Sequence, residues 1–208
     1  HLSATRTTGG VLYDLDMRLR PDGDSGLLIS DIRSFEQYQK KRAWTWEHQA
    51  LVRARPIAGS RKIISEFKRI RNDVLRTPRD GAKLKAEVLE MRNKMRKHLD
   101  RGSDKLFDLK QSRGGMVDIE FIAQYLTLRE APLHQGMCLW SDNVRIFDEC
   151  ARLNLLDPKL CNELKQAYLD LRECYHQISL ADLPRLVAIE HRPEVCVEIA
   201  KIWEKVFS

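Results

Sequence analysis

Long apolar runs are missing from this chain of 208 residues, and the few short ones exclude a membrane-spanning helix. The start carries neither a signal-peptide pattern nor a methionine; the chain opens at His1 in mid-pattern and reads as a fragment of something longer. No two of the five cysteines (Cys138, Cys150, Cys161, Cys174 and Cys196) stand at C-x-x-C spacing, and their odd number speaks against a disulfide framework as well as a zinc ribbon. They read as reduced thiols of a cytoplasmic protein. Charge of one sign is not in bulk either: 36 Lys and Arg residues face 30 Asp and Glu, and the formal net charge of +6 describes a mixed surface that does not point to nucleic acid. What is present is 43% hydrophobic content, enough for a real core in one large domain or two small ones.

Residues 11 to 21, Val-Leu-Tyr-Asp-Leu-Asp-Met-Arg-Leu-Arg-Pro, alternate apolar and polar positions in the period of a strand with one buried face. Asp14, Asp16, Arg18 and Arg20 then project together, and Pro21 ends the pairing. Carboxylates supply the hard oxygen ligands that a divalent cation needs and arginine forks suit phosphate, so one face offers both halves of a metal-nucleotide complex. A solvated strand face is the alternative. Asp22 to Gly26 form a turn by composition, with Ser25 and Gly26 placed where backbone N–H groups approach a phosphate. The apolar run Leu27 to Ile29 is expected to return as the second strand of a hairpin.

Beyond residue 30 the periodicity is helical. Ser30 or Asp31 suits the cap of a helix through about residue 42, and residues 43 to 55 continue in helical spacing. Trp44 and Trp46 are expected to anchor packing there, while Glu47 and Arg53 either reach a site or pair with neighbours. Pro56 and Gly59 break the pattern and set a domain boundary near residue 58, giving domains 1–58 and 59–208. Stripes at Ile63, Phe67, Ile70, Val74 and at Leu84, Val88, Met91, Met95, Leu99 predict two bundle helices, the second with Glu90 and Lys94 paired at i,i+4. Asp157 and Pro158 cap a long helix with a stripe from Leu160 through Leu164, Ala167, Leu171, Cys174 and Ile178 to Ala181. A last helix from about Pro193 buries some of Val195, Ile199, Ile202, Trp203 and Val206. Short loops imply an antiparallel bundle in which Cys174 acts as a small hydrophobe.

Residues 107 to 121 place Lys110, Arg113 and the pair Gly114-Gly115 just ahead of a strongly apolar helix, where free N–H groups would attract an anion. Asp118 and Glu120 are about 200° apart on that helix and cannot both face one site; Glu120 aligns with Gln124 and Thr127 instead. Such a polar stripe serves a ligand or an interdomain hydrogen-bond network. Upstream, Gly102-Ser103-Asp104 with Asp108 superficially resembles a nucleotidyltransferase metal signature, but without a D-x-D pair it reads as a helix cap.

Tyr13 to Pro21, Trp44 to Arg55, Phe107 to Lys110, Gly114 to Phe121 and Trp140 to Arg145 together resemble bacterial glutamine synthetase adenylyltransferase, along nearly the whole chain and weakening after about residue 182. That family pairs two similar nucleotidyltransferase halves, one adding AMP to a tyrosine of glutamine synthetase and one removing it. The Trp-Thr-Trp-Glu-His run and Val117-Asp-Ile-Glu resemble the adding, C-terminal half, and the likeness puts Ser208 at or near the natural C-terminus. It implies a mainly α chain: a C-terminal helical bundle joined to the truncated end of a polymerase-beta-like nucleotidyltransferase domain with a small β element.

The resemblance further implies ATP and Mg²⁺ as cofactors. Asp16 would hold the metal and orient the tyrosine hydroxyl, with Asp14 as a secondary ligand. Arg18, Arg20, Ser25, Gly26, Lys110 and Arg113 would contact phosphate or acidic neighbours, and Glu120 would reach the catalytic site from the helical domain. The upstream segment that supplies two further metal-binding aspartates is absent, so the fragment alone is expected to be inactive. Implied partners are glutamine synthetase, a nitrogen regulatory signalling protein and glutamine as effector, with no nucleic acid and no membrane. Two alternatives stay open: the deadenylylating half of the same enzyme, and a non-catalytic helical module that binds glutamine synthetase or a regulatory protein.

Overall fold

The structure, a computed structural model, describes residues 6–8, 10–11 and 20–208. Its contacts group into two compact units, His1–Ala43 and Trp44–Ser208. Among the described residues the chain is mainly α, with eight α-helices and two short strand pairs. None of these helices is long and apolar enough to cross a membrane.

In the first unit β1 (Arg6–Thr7) pairs antiparallel with β2 (Gly10–Val11). Residues 12–19 of the alternating stretch, and with them most of the expected strand, lie outside the described residues. Gly23–Ser25 make one turn of 3-10 helix. Leu27 to Ile29 are not the expected second strand but an irregular, exposed segment. Asp31, two residues on, is committed to α1 (Ile32–Lys41): its carboxylate accepts the N–H groups of Arg33 and Ser34, which leaves too short a run for a ladder.

The second unit contains α2 (Thr45–Arg53), α3 (Arg61–Leu75), α4 (Gly81–Leu99), β3 (Leu106–Asp108), α5 (Met116–Glu130), α6 (Asn143–Arg152), α7 (Pro158–Leu180), β4 (Leu186–Ala188) and α8 (Val195–Val206). Ser60, Asp80, Asp142 and Asp157 cap α3, α4, α6 and α7 by accepting first-turn N–H groups. Helix α5 is the axis. It is apolar on almost every side, and α2, α4, α6, α7 and α8 all pack against it, as a helix without a solvent face requires. The main hydrophobic cluster runs from Val52 to Phe207 and lies wholly in this unit.

Three expectations are corrected here. Trp44 and Trp46 do not anchor α2: they are 70% and 39% exposed, because the helix turns Gln49, Leu51 and Val52 inward instead. Cys174 is exposed, since the 23 residues of α7 outrun its ten-residue neighbour α6 and burial stops at Leu171. Ser103 and Asp104 precede no helix. They lead into β3, which pairs antiparallel with β4 through Leu106 and Ala188, Phe107 and Val187, and Asp108 and Leu186. Contacts also place α2 in the helical unit, whereas the expected division at residue 58 puts it before the boundary.

Candidate functional site

Arg20, Ser25 and Gly26 come together in one turn of the first unit. Asp22 stands in the left-handed region at φ 61°, which reverses the chain, and its carboxylate meets the Arg42 guanidinium. Ser25 Oγ donates to the Asp22 carbonyl at 2.7 Å, and Arg20 Nε donates to the Gly26 carbonyl at 3.4 Å. The Gly26 N–H donates to Gly23 at 3.1 Å. A Cβ on Gly26 would stand 1.9 Å from the Pro21 carbonyl oxygen, so only glycine closes this turn. Asp14, Asp16 and Arg18 lie outside the described residues.

The segment ahead of α5 is held from within. Gly115 N–H donates to Ser112, Met116 to Leu109, Val117 to Lys110 and Asp118 to Gly115, at 2.8 to 3.1 Å, while Gly114 N–H donates to Asp118 Oδ2 at 2.7 Å. The free N–H groups expected at this helix start are therefore absent: a carboxylate of the chain itself occupies the place of an anion. Gly114, at φ 80°, lies so close to α8 that a Cβ would stand 1.9 Å from the Cys196 carbonyl oxygen. The glycine pair serves close packing.

Asp118 is fully buried and joins two arginines of α4: Arg92 Nε at 2.6 Å and Arg96 at 3.1 Å. Arg92 also donates to Gln111 Oε1 at 3.3 Å and to the Gln111 carbonyl at 2.7 Å. Burial drives its guanidinium below the ordinary arginine value even though Asp118 opposes the shift. Asp108, also buried, accepts the N–H groups of Lys110 and Gln111 and the Arg185 Nε at 2.9 Å. Both acids are thus consumed by the framework.

Lys110, Arg113 and Glu120 are each engaged by a different helix. Lys110 Nζ lies 5.5 Å from the centre of the Tyr175 ring on α7. Arg113 pairs with Glu204 on α8. Glu120 accepts from Arg53 on α2 at 2.5 Å, and one turn along Gln49 Nε2 donates to Gln124 Oε1 at 3.1 Å, so the polar stripe of α5 meets a polar stripe of α2. Burial opposes the Arg53 charge, but Glu120 and Tyr168 outweigh it and hold the guanidinium above its ordinary value. The residue that sequence reading overlooked is Arg71. Buried between α2 and the segment after α5, it donates to the carbonyls of Leu51, Val52, Cys138 and Trp140 at 2.6 to 3.1 Å. An arginine on a helix flank gives no signal of this in the sequence.

Among the described residues no three His, Cys, Asp or Glu side chains gather where a metal ion would sit. They supply no complete centre for Mg²⁺, and no catalytic step through it follows from them. Among the thiols, desolvation raises Cys150 and Cys196 to about 12 and Cys161 to about 11, which keeps these three protonated at neutral pH.

Residues 1–70 match the family model described as Glutamate-ammonia ligase adenylyltransferase, and residues 82–185 match the one described as GlnD PII-uridylyltransferase. The chain is 47% identical over 207 residues to the bifunctional glutamine synthetase adenylyltransferase/adenylyl-removing enzyme of Psychromonas ingrahamii. It is 49% identical over 208 residues to that of Shewanella loihica and 44% over 213 to that of Hahella chejuensis. These alignments cover 99 to 100% of the chain, which spans 22% of the length of each relative.

Proposed function

The chain belongs to the family of the bifunctional glutamine synthetase adenylyltransferase/adenylyl-removing enzyme, and on that premise we propose that it is the C-terminal part of the adenylylating half. Its parent transfers AMP from ATP to a tyrosine of glutamine synthetase. The observation that carries the family part of this reading is the 49% identity along all 208 residues to a relative of that name. The Trp44-Thr-Trp-Glu-His and Val117-Asp-Ile-Glu runs favour addition over removal.

In this reading Asp16, with Asp14 as a secondary group, serves the nucleotide site and orients the tyrosine hydroxyl for attack on the α-phosphate. Mg²⁺, when bound, supplies neutralisation of phosphate charge. Arg18, Arg20 and the Ser25-Gly26 turn are the first unit's candidates for contact with phosphate or acidic neighbours; Lys110 and Arg113 are the helical unit's own candidates, each exchanging its present partner for that contact, and Arg53 fixes the Glu120 carboxylate. The enzyme is cytoplasmic, and it answers to a nitrogen regulatory protein and to glutamine.

AMP addition and removal, followed separately on glutamine synthetase with the full-length parent, test the assignment. Asp16→Asn is expected to lower addition by about 10³-fold or more and to leave removal intact. Loss of removal alone would place this chain in the other half. Survival of both rates would make the charged strand structural.

A further inference from the structure

The two-stranded sheet of the helical unit has edges that are finished differently. Leu109 N–H donates to the Arg185 carbonyl and Ile189 N–H to the Lys105 carbonyl, and Phe107 stands opposite Val187. The groups of β4 that face β3 therefore belong to residues 185, 187 and 189, and the N–H and C=O of Leu186 and Ala188 point the other way. On β3 the outward groups are occupied. Ser103 and Leu106 exchange backbone bonds of 2.8 and 3.3 Å, Asp108 N–H donates to Ser112 Oγ at 3.0 Å, and Ser112 N–H returns to the Asp108 carbonyl at 3.0 Å. The N–H and C=O of Leu186 and the N–H of Ala188 have no such partners among the described residues, while the Ala188 carbonyl caps the 3-10 turn Ile189–His191.

Leu186 also belongs to a cavity of about 330 Å³ whose apolar wall is completed by Tyr175, Ile178 and Leu183. Its charged lining is two arginines and no carboxylate. Arg185 is shared with buried Asp108 and the Leu99 carbonyl; Arg101 is exposed and has no acidic partner among the described residues. Leu183 is 61% exposed and Leu180, just before it, 89%.

We propose that the outer edge of β4 and this cavity form one docking site for an extended acidic segment of a partner protein, added as a third strand along Leu186–Ala188. An apolar side chain of that segment enters the cavity, and a flanking carboxylate meets Arg101. Unpaired strand edges accept such segments through main-chain bonds, with neighbouring pockets giving the selectivity. The sign of the partner follows from the lining, since a basic segment would be repelled by both arginines. A second copy is disfavoured because its own β4, Leu186–Ala188, brings no carboxylate to Arg101. A small anion would fill the cavity and leave the strand edge unused.

Random decapeptides displayed on phage are to be selected on the immobilised 208-residue chain, and the recovered sequences measured by fluorescence polarisation. Enrichment of Asp or Glu next to Leu, Ile or Phe is expected, with affinity falling about tenfold in Arg101→Glu and about tenfold in Ala188→Pro. The proline variant isolates the edge. Ala188 sits at φ −60°, which the ring accepts, and its N–H faces away from β3, so the ladder stays intact. Unchanged circular dichroism checks this, and the exposed Arg101→Glu decides the matter if Ala188→Pro misfolds.

No enrichment, enrichment without acidic residues, or affinity indifferent to Arg101→Glu would overturn the proposal. So would binding that N-acetylleucine displaces and Ala188→Pro leaves untouched, which would assign a small-anion site. Dimerisation abolished by Ala188→Pro would give the edge to a second copy.

Discussion

Asp118 shows at the scale of one residue how a charge can be spent on architecture. Its carboxylate is enclosed with Arg92, also enclosed, and also takes Arg96 and the Gly114 N–H. Asp118→Asn would leave two guanidiniums short of their countercharge, one without access to water. A loss of about 3–5 kcal/mol is expected in urea unfolding, with little change in helix content at low denaturant. The cysteines give a contrasting residue-scale expectation. Four of the five are buried and Cys174 is exposed, so a native chain is expected to consume one equivalent of a thiol reagent quickly, and Cys174→Ser to abolish that phase. The heptad stripe placed Cys174 in the core. Periodicity finds which residues share a face, but not where along a long helix the partner helix stops.

At the scale of the element, α5 and its approach segment dictate what the rest can do. Gly114→Ala would combine a positive φ with a collision against the Cys196 carbonyl, pushing α8 off α5 at a cost of about 3 kcal/mol, readable as a lowered denaturant midpoint. The sequence shows Gly114-Gly115 ahead of a helix and suggests an anion; the backbone contact that makes the glycines necessary comes from Cys196, far along the chain. Local chemistry was legible. Asp31 and Asp157 cap the helices they were expected to cap, Pro158 begins α7, and Glu90 and Lys94 pair at 2.6 Å, because each depends on neighbours within one turn. The pairing of β3 with β4 was not, since Leu106 meets Ala188 only after α5, α6 and α7 have been laid down between them. The site follows the same rule: helical spacing aligned Glu120 with Gln124, yet nothing in it assigns Arg53 and Gln49 as their partners.

At the scale of the whole chain, the question is which segment can stand alone. The main core cluster lies within 52–207, and α2 contributes Val52 to it, the carbonyls that Arg71 needs, and the partners of Glu120 and Gln124. A chain of residues 44–208 is therefore expected to unfold cooperatively. One of residues 59–208 would lose about 3 kcal/mol or more in the same urea titration, because it loses the apolar cover of Val52, two acceptors of Arg71 and the partners of Glu120 and Gln124. Equal stability of the two would favour the division near residue 58.

The central position of α5 also sets an order of events during synthesis. Two of its packing partners, α2 and α4, precede it in the chain, and three, α6, α7 and α8, follow. When α5 leaves the ribosome, one flank can be covered at once, while the other is covered only in steps as α6, α7 and finally α8 follow. A nascent chain stalled after Glu130 thus presents one of the most apolar helices of the molecule to solvent, and it is at that stage, not in the finished fold, that a chaperone has the most to hold.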